Sequence, residues 1–286
     1  MARRALGRDG DDGSRGLLPG QHPHALDAGR LAQLAEALTH GGVVSASSLP
    51  ERARVLRVRP VPHDRILTKA QLDAALDALC ALDPRMAALR REAAEPPLRT
   101  LSPDLAGLVW LVNSQLISVT AARAIHARVE AALGAIDHES LSAAPDEVFR
   151  AAGMSRGKLR TVRALCAAVE NGLDIEGLGR LDEAEARATL VAIPGIGPWT
   201  ADVFLLFAHG RADAYPGGDV AVQAALKEAF DLPVRPDRVE AERLAEGWRP
   251  LRGVAAQLLW AYYLRKRGGR DAAPTPSRPA AVEEII

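Results

Sequence analysis

The chain has 286 residues, 48% of them apolar, and its 36 basic and 36 acidic side chains cancel to a formal charge of zero. This length can bury a full core, as one large domain or two, and the apolar content argues against a chain disordered throughout. Balanced charge excludes a broadly basic surface, so any contact with nucleic acid has to be local. With no run of ~18 apolar residues, no membrane span is expected.

Residues 1–65 differ in character from the rest, with ten Arg and no Lys. Leu31, Leu34, Ala35 and Leu38 recur at helical spacing within 25–40, and Gly41-Gly42 stop that helix. Residues 52–61 alternate weakly and end among Pro60 and Pro62. This part reads as a poorly ordered N-terminal extension holding one helix and a short extended piece. Residues 1–16 hold no hydrophobic signal core, so secretion is not expected and the expected location is cytoplasmic, nucleoid-associated.

From Leu67 the pattern is helical almost without break. Leu72, Ala75, Leu76 and Leu79 share one face, Asp83-Pro84 opens a second short helix, and Pro96-Pro97 end it. Residues 103–133 form a long apolar-rich region with Leu108, Trp110, Leu111, Leu116, Ile117, Ala121, Ile125 and Val129. A short helix follows from Asp146, and Ser155 reads as the N-cap of 156–171. Helical runs continue over 181–193, 199–208, 220–230, 238–245 and 250–266. With strands nearly absent the class is all-α, and the Pro-rich residues 269–286 read as a disordered tail. The two cysteines, Cys80 and Cys166, lie on apolar faces and read as small buried hydrophobes. The seven histidines show no metal-ligand spacing.

The most informative stretch is Leu190-Val-Ala-Ile-Pro-Gly195-Ile-Gly197-Pro-Trp199-Thr200-Ala201. Two glycines two apart accept backbone angles that other residues resist. Pro198 suits the first turn of the next helix. The stretch predicts a tight helix-hairpin-helix, and the exposed N–H groups at the second helix N-terminus suit a phosphate. Asp219 stands 22 residues after Gly197, in Pro216-Gly-Gly-Asp219-Val-Ala-Val, and reads on its own as the N-cap of the following helix.

Ile-Pro-Gly-Ile-Gly followed by Trp-Thr-Ala resembles the hairpin of the helix-hairpin-helix (HhH-GPD) DNA glycosylase superfamily, and within it the 3-methyladenine DNA glycosylase II branch. Over 66–268 the resemblance implies a two-lobed helical fold. One lobe comprises 103–214, and the other combines 67–100 with 215–268. Larger bacterial members carry a β-rich N-terminal domain, for which residues 1–65 are too few.

The resemblance makes Asp219 the catalytic carboxylate, a role compatible with capping. It places Trp199, Trp260 and Trp110 at a base pocket, where an aromatic face attracts a cationic purine. Trp260 would otherwise read as a core tryptophan. Gln115-Leu116-Ile-Ser118-Val resembles the segment that enters DNA as the base is extruded. Leu116 becomes the wedge, with Gln115 and Ser118 beside it. Gly153-Met-Ser-Arg-Gly-Lys158 resembles a further segment that reads as a helix start and whose Lys158 or Arg160 approaches the DNA backbone. Gly195, Gly197 and Thr200 become phosphate contacts. The carbonyls of Val191, Ile193 and Ile196 would hold a monovalent cation, Na+ or K+. Two cysteines are too few for the iron–sulfur cluster of some relatives, so none is expected.

Two departures from the family pattern carry meaning. Relatives that also cleave the backbone have a Schiff-base lysine where Trp199 stands, so hydrolysis without lyase activity is expected. A tyrosine often found four residues past that position is Val203 here. The expectation is a monomeric, monofunctional glycosylase that removes alkylated purines from damaged double-stranded DNA. A sister enzyme for deaminated or oxidised bases, and a DNA-binding module without activity, remain as alternatives.

Overall fold

The computed structural model of the protein describes residues 65–268. The expected helix at 25–40, the extended piece at 52–61 and the tail at 269–286 lie outside those residues. Among the described residues the chain is helical, and its β-structure is an isolated bridge between Arg65 and Arg211.

Local chemistry explains where the helices begin. At α1 (Lys69–Leu82) the Thr68 hydroxyl accepts from the Gln71 N–H, and the Gln71 side chain accepts from the Thr68 N–H. This reciprocal cap satisfies two N–H groups that the helix itself leaves unpaired. Asp83 ends α1 and caps α2 (Pro84–Glu92), with Pro84 in the first turn. The apolar-rich region expected at 103–133 divides into α3 (Leu105–Ser114) and α4 (Val119–Leu133). The division falls at Gln115–Ser118, where Leu116 takes a φ of +60° and the Ser118 hydroxyl accepts from the Ala121 N–H to start α4.

The short α5 (His138–Ala143), capped by Asp137, was not expected from the sequence. Six residues give too little periodicity to read. After α6 (Asp146–Ala151) comes α7 (Arg156–Glu170), which starts on Ser155 as expected. A 3₁₀ turn at Glu176–Arg180, also not foreseen, precedes α8 (Glu183–Val191) and α9 (Pro198–Ala208). Then follow α10 (Val220–Ala229), α11 (Arg238–Ala245), a 3₁₀ turn at Glu246–Trp248, and α12 (Arg252–Lys266).

The helices pack as two groups. In one, α3 lies against α4, α7 and α9, while α8 pairs with α9. In the other, α12 lies against α1, α2 and α10. Residues 200–208 of α9 and 253–262 of α12 are buried on every side, the mark of a central helix. These two helices meet where the rings of Phe207 and Trp260 lie 5.7 Å apart, tilted by 31°. Within the second group the Trp248 indole N–H donates to Asp83 at 2.9 Å across 165 residues of sequence. Arg85, then Trp248, hold the Asp83 carboxyl down to about 2.

Candidate active site

The hairpin runs from the end of α8 into α9. Gly195 has a φ of +90°, and a Cβ there would lie 1.9 Å from Oγ1 of Thr161 on α7. Glycine is therefore required twice, for backbone angle and for space. Gly197 opens α9, and a Cβ there would meet nothing within 4 Å. No side chain caps α9, which leaves its first N–H groups for an outside acceptor.

Asp219 caps α10 and is 8% exposed. Its Oδ1 accepts from the N–H groups of Ala221 at 2.8 Å and Val222 at 3.0 Å. The same oxygen accepts from the Trp260 indole N–H at 3.0 Å, and Oδ2 accepts from the Trp199 indole N–H at 2.8 Å. Four N–H donors converge on one carboxyl group, a set that matches a group acting only as acceptor. The donors come from α9, α10 and α12, so the side chain sits where the two helix groups meet. Trp199 is the second residue of α9, so one side chain joins the carboxylate directly to the hairpin. The Gln223 side chain donates to the Gly217 carbonyl at 2.9 Å and fixes the Gly-Gly approach to Asp219. Sequence reading missed Gln223, although its place four residues past the cap is a usable signal.

The segment between α3 and α4 is tied to the hairpin. Gln115 Nε2 donates to Thr200 Oγ1 at 3.0 Å and to the Gly195 carbonyl at 3.3 Å. Beside it Leu116 is 104% exposed, with no packing contact to explain its left-handed backbone. The Ser118 hydroxyl is taken up by the α4 cap. Lys158 turns inward, donating from Nζ to the Asn113 carbonyl at 2.8 Å, and burial lowers its pKa.

Structure sorts the three candidate pocket tryptophans. Trp199 and Trp260 both reach Asp219, but Trp260 is 1% exposed and is covered by Phe207. Trp199, half-buried, is the aromatic with free surface. Trp110 is buried in α3 and meets the His126 ring edge-on at 5.2 Å. Val203 is fully buried inside α9 and belongs to the core.

The carbonyls of Val191 and Ile196 accept no hydrogen bond among the described residues. That of Ile193 accepts only the Ile196 N–H, at 3.0 Å, which leaves a lone pair free. Behind the hairpin, a cavity of about 780 Å³ is lined by Ala168, Leu173, Leu178 and Ile193 among others, and does not reach Asp219. Among the described residues no helix is long and apolar enough to cross a membrane.

Residues 109–250 match the HhH-GPD superfamily of base excision DNA repair proteins. A crystal structure of a DNA-3-methyladenine glycosidase from Bacillus halodurans is 32% identical, with a TM-score of 0.60 over 69% of this chain and 93% of that one. The 3-methyladenine DNA glycosylase Mag1 of Schizosaccharomyces pombe, solved in complex with abasic DNA, is 27% identical. Its TM-score is 0.56, over 65% of this chain and 94% of that one. The chain is also 29% identical to a probable bifunctional transcriptional activator/DNA repair enzyme AlkA of Mycobacterium tuberculosis, over 77% of its own length. It spans only 47% of that protein.

Proposed function

Because the chain belongs to the HhH-GPD superfamily of base excision DNA repair proteins, we propose that it is a monofunctional DNA glycosylase for alkylated purines. It flips a base such as 3-methyladenine out of double-stranded DNA and hydrolyses the glycosidic bond, leaving an abasic site. The observation that carries this reading is the Asp219 carboxylate, held by four N–H donors and joined through Trp199 to a hairpin with free helix-start amides.

Each part of the site has its own task. Amides at the start of α9 grip a phosphate of the damaged strand. The Val191, Ile193 and Ile196 carbonyls would hold a monovalent cation, which supplies positive charge beside that phosphate. Leu116 enters the space that the extruded nucleotide leaves, at a cost of a few kcal/mol for unstacking. Breaking the bond to the base builds positive charge on the sugar, and a fixed carboxylate opposes it without having to reorganise. Asp219 also orients the water that attacks the anomeric carbon. An alkylated purine already carries positive charge and departs without a general acid, which fits a site with one carboxylate. The exposed part of the Trp199 ring offers such a base a cation–π contact.

Trp199 stands where lyase relatives have their amine nucleophile, so borohydride should trap no covalent adduct with DNA. Asp219→Asn should cut the release of free bases from methylated DNA by about 100-fold or more while duplex affinity stays near wild type. Full activity in that variant would refute the assignment of the carboxylate.

A further inference from the structure

A neutral chain needs a local source of positive potential to hold DNA. We propose that Arg123, Arg156 and Arg160 form the charged footing that meets duplex phosphates around the Leu116 tip. The proposal rests on the DNA reading above for the identity of its partner and on separate observations for its location.

The first observation is where acid is missing. No Asp or Glu occurs in residues 105–129, 151–169 or 186–201. Tertiary packing brings these three stretches together. Lys158 of α7 reaches the Asn113 carbonyl beside the tip, Thr161 of α7 packs under Gly195, and Gln115 bonds Gly195 and Thr200. Gly153, just before α7, lies against Ile125 and Arg128 of α4. The starts of α4 and α7 and the hairpin therefore bring no acid of their own to the surface they share, and the neighbouring Asp146 and Asp202 are already paired with Arg163 and Arg187.

The second observation is which cations on that face are already engaged. Arg128 donates to the Ala152 carbonyl at 2.8 Å. Arg163 pairs with Asp146 at 2.8 Å, and Arg187 pairs with Asp202 at 2.6 Å. Of the two cations that the sequence motif points to, Lys158 is turned inward and Arg160 is left outward. The side chains of Arg123, Arg156 and Arg160 are exposed and have no partner among the described residues. An unpaired guanidinium gives up no existing bond when it meets a phosphate, and its fork suits phosphate oxygens.

The test is the salt dependence of binding to an undamaged duplex, compared between two triple variants. Arg123→Gln/Arg156→Gln/Arg160→Gln removes the footing. Arg91→Gln/Lys227→Gln/Arg265→Gln removes three cations from the other helix group that are also exposed and have no partner among the described residues. Both lose the same formal charge, so net charge cannot explain a difference. In a plot of log affinity against log salt, the first variant should be shallower than wild type by about 0.9 for each phosphate that is no longer neutralised. The second should keep the wild-type slope. Equal slopes in the two variants would overturn the proposal. Failure of the wild-type protein to bind duplex at all would overturn both this proposal and the glycosylase reading. A shallower slope in the first variant, with no base release by the wild type, would leave the footing in place and sink only the glycosylase reading.

Discussion

Leu116 holds a φ of +60° with its side chain wholly in solvent. A residue with a Cβ gives up about 1–2 kcal/mol in that conformation, and no burial offsets it here. Such an exposed apolar strain is what a wedge needs and what a core leucine never shows. Leu116→Ala keeps the strain and Leu116→Gly relieves it, so the Gly variant should be the more stable by up to about 1 kcal/mol, after the entropy that Gly adds to the unfolded chain. Both should lose base release on duplex DNA and keep most of it on a lesion already unpaired. Equal midpoints in denaturant, or equal activity on the two substrates, would contradict this account. Only part of this was legible in the sequence. Leu116 and Asp219 sit in motifs that fix their surroundings locally. Which of Trp110, Trp199 and Trp260 meet the carboxylate depends on how whole helices are rotated against each other. Nothing in the sequence set Trp110, beside His126, apart from Trp260, beside Asp219. Lys158 also turns inward for a tertiary reason, the carbonyl of Asn113.

Among elements, the hairpin was the most legible because its glycines and prolines determine its shape before any packing. Its seat on α7 was not, since Thr161 carries no sign of a distant partner. The two reasons for Gly195 can be separated by experiment. Gly195→Ala puts a methyl 1.9 Å from Thr161 Oγ1 and forces alanine to a φ of +90°. The combined cost should be at least about 2 kcal/mol. Adding Thr161→Ala removes the nearest clash but not the backbone strain. The double variant should therefore recover part of the lost stability, measured by chemical denaturation, and should stay below Thr161→Ala alone. Full recovery would mean that the backbone angle costs nothing. The same local-against-tertiary division explains the short elements. Helix α5 and the 3₁₀ turn at Glu176–Arg180 are too brief to show periodicity. The turn is held by distant side chains, since Arg65 and Arg211 both donate to the Gly179 carbonyl.

At the scale of the molecule, a net charge of zero hides opposed contributions from buried groups. His209 is 4% exposed, and burial, then Arg65 and Arg211, push it down to about 4. Unfolded histidine takes a proton near 6.5 and the folded one does not. This contribution to stability is therefore complete above 6.5 and is lost as pH falls toward 4. His126, lowered mainly by burial, acts in the same sense. Asp202 behaves oppositely, because burial raises it to about 6 against the pull of Arg187. Its contribution is complete below the ordinary value of 3.8 and is lost as pH rises through 6. Glu183, raised mainly by burial, joins it. Between pH 4 and 6 the two sets oppose each other, so the denaturation midpoint of the wild-type protein should depend less on pH there than that of a variant lacking the acidic set. Asp202→Asn removes the larger acidic contribution and leaves only Glu183 to oppose the histidines. Its midpoint should fall steadily as pH is lowered from 6.5 to 4, and a profile parallel to wild type would show that burial does not hold the Asp202 carboxyl up.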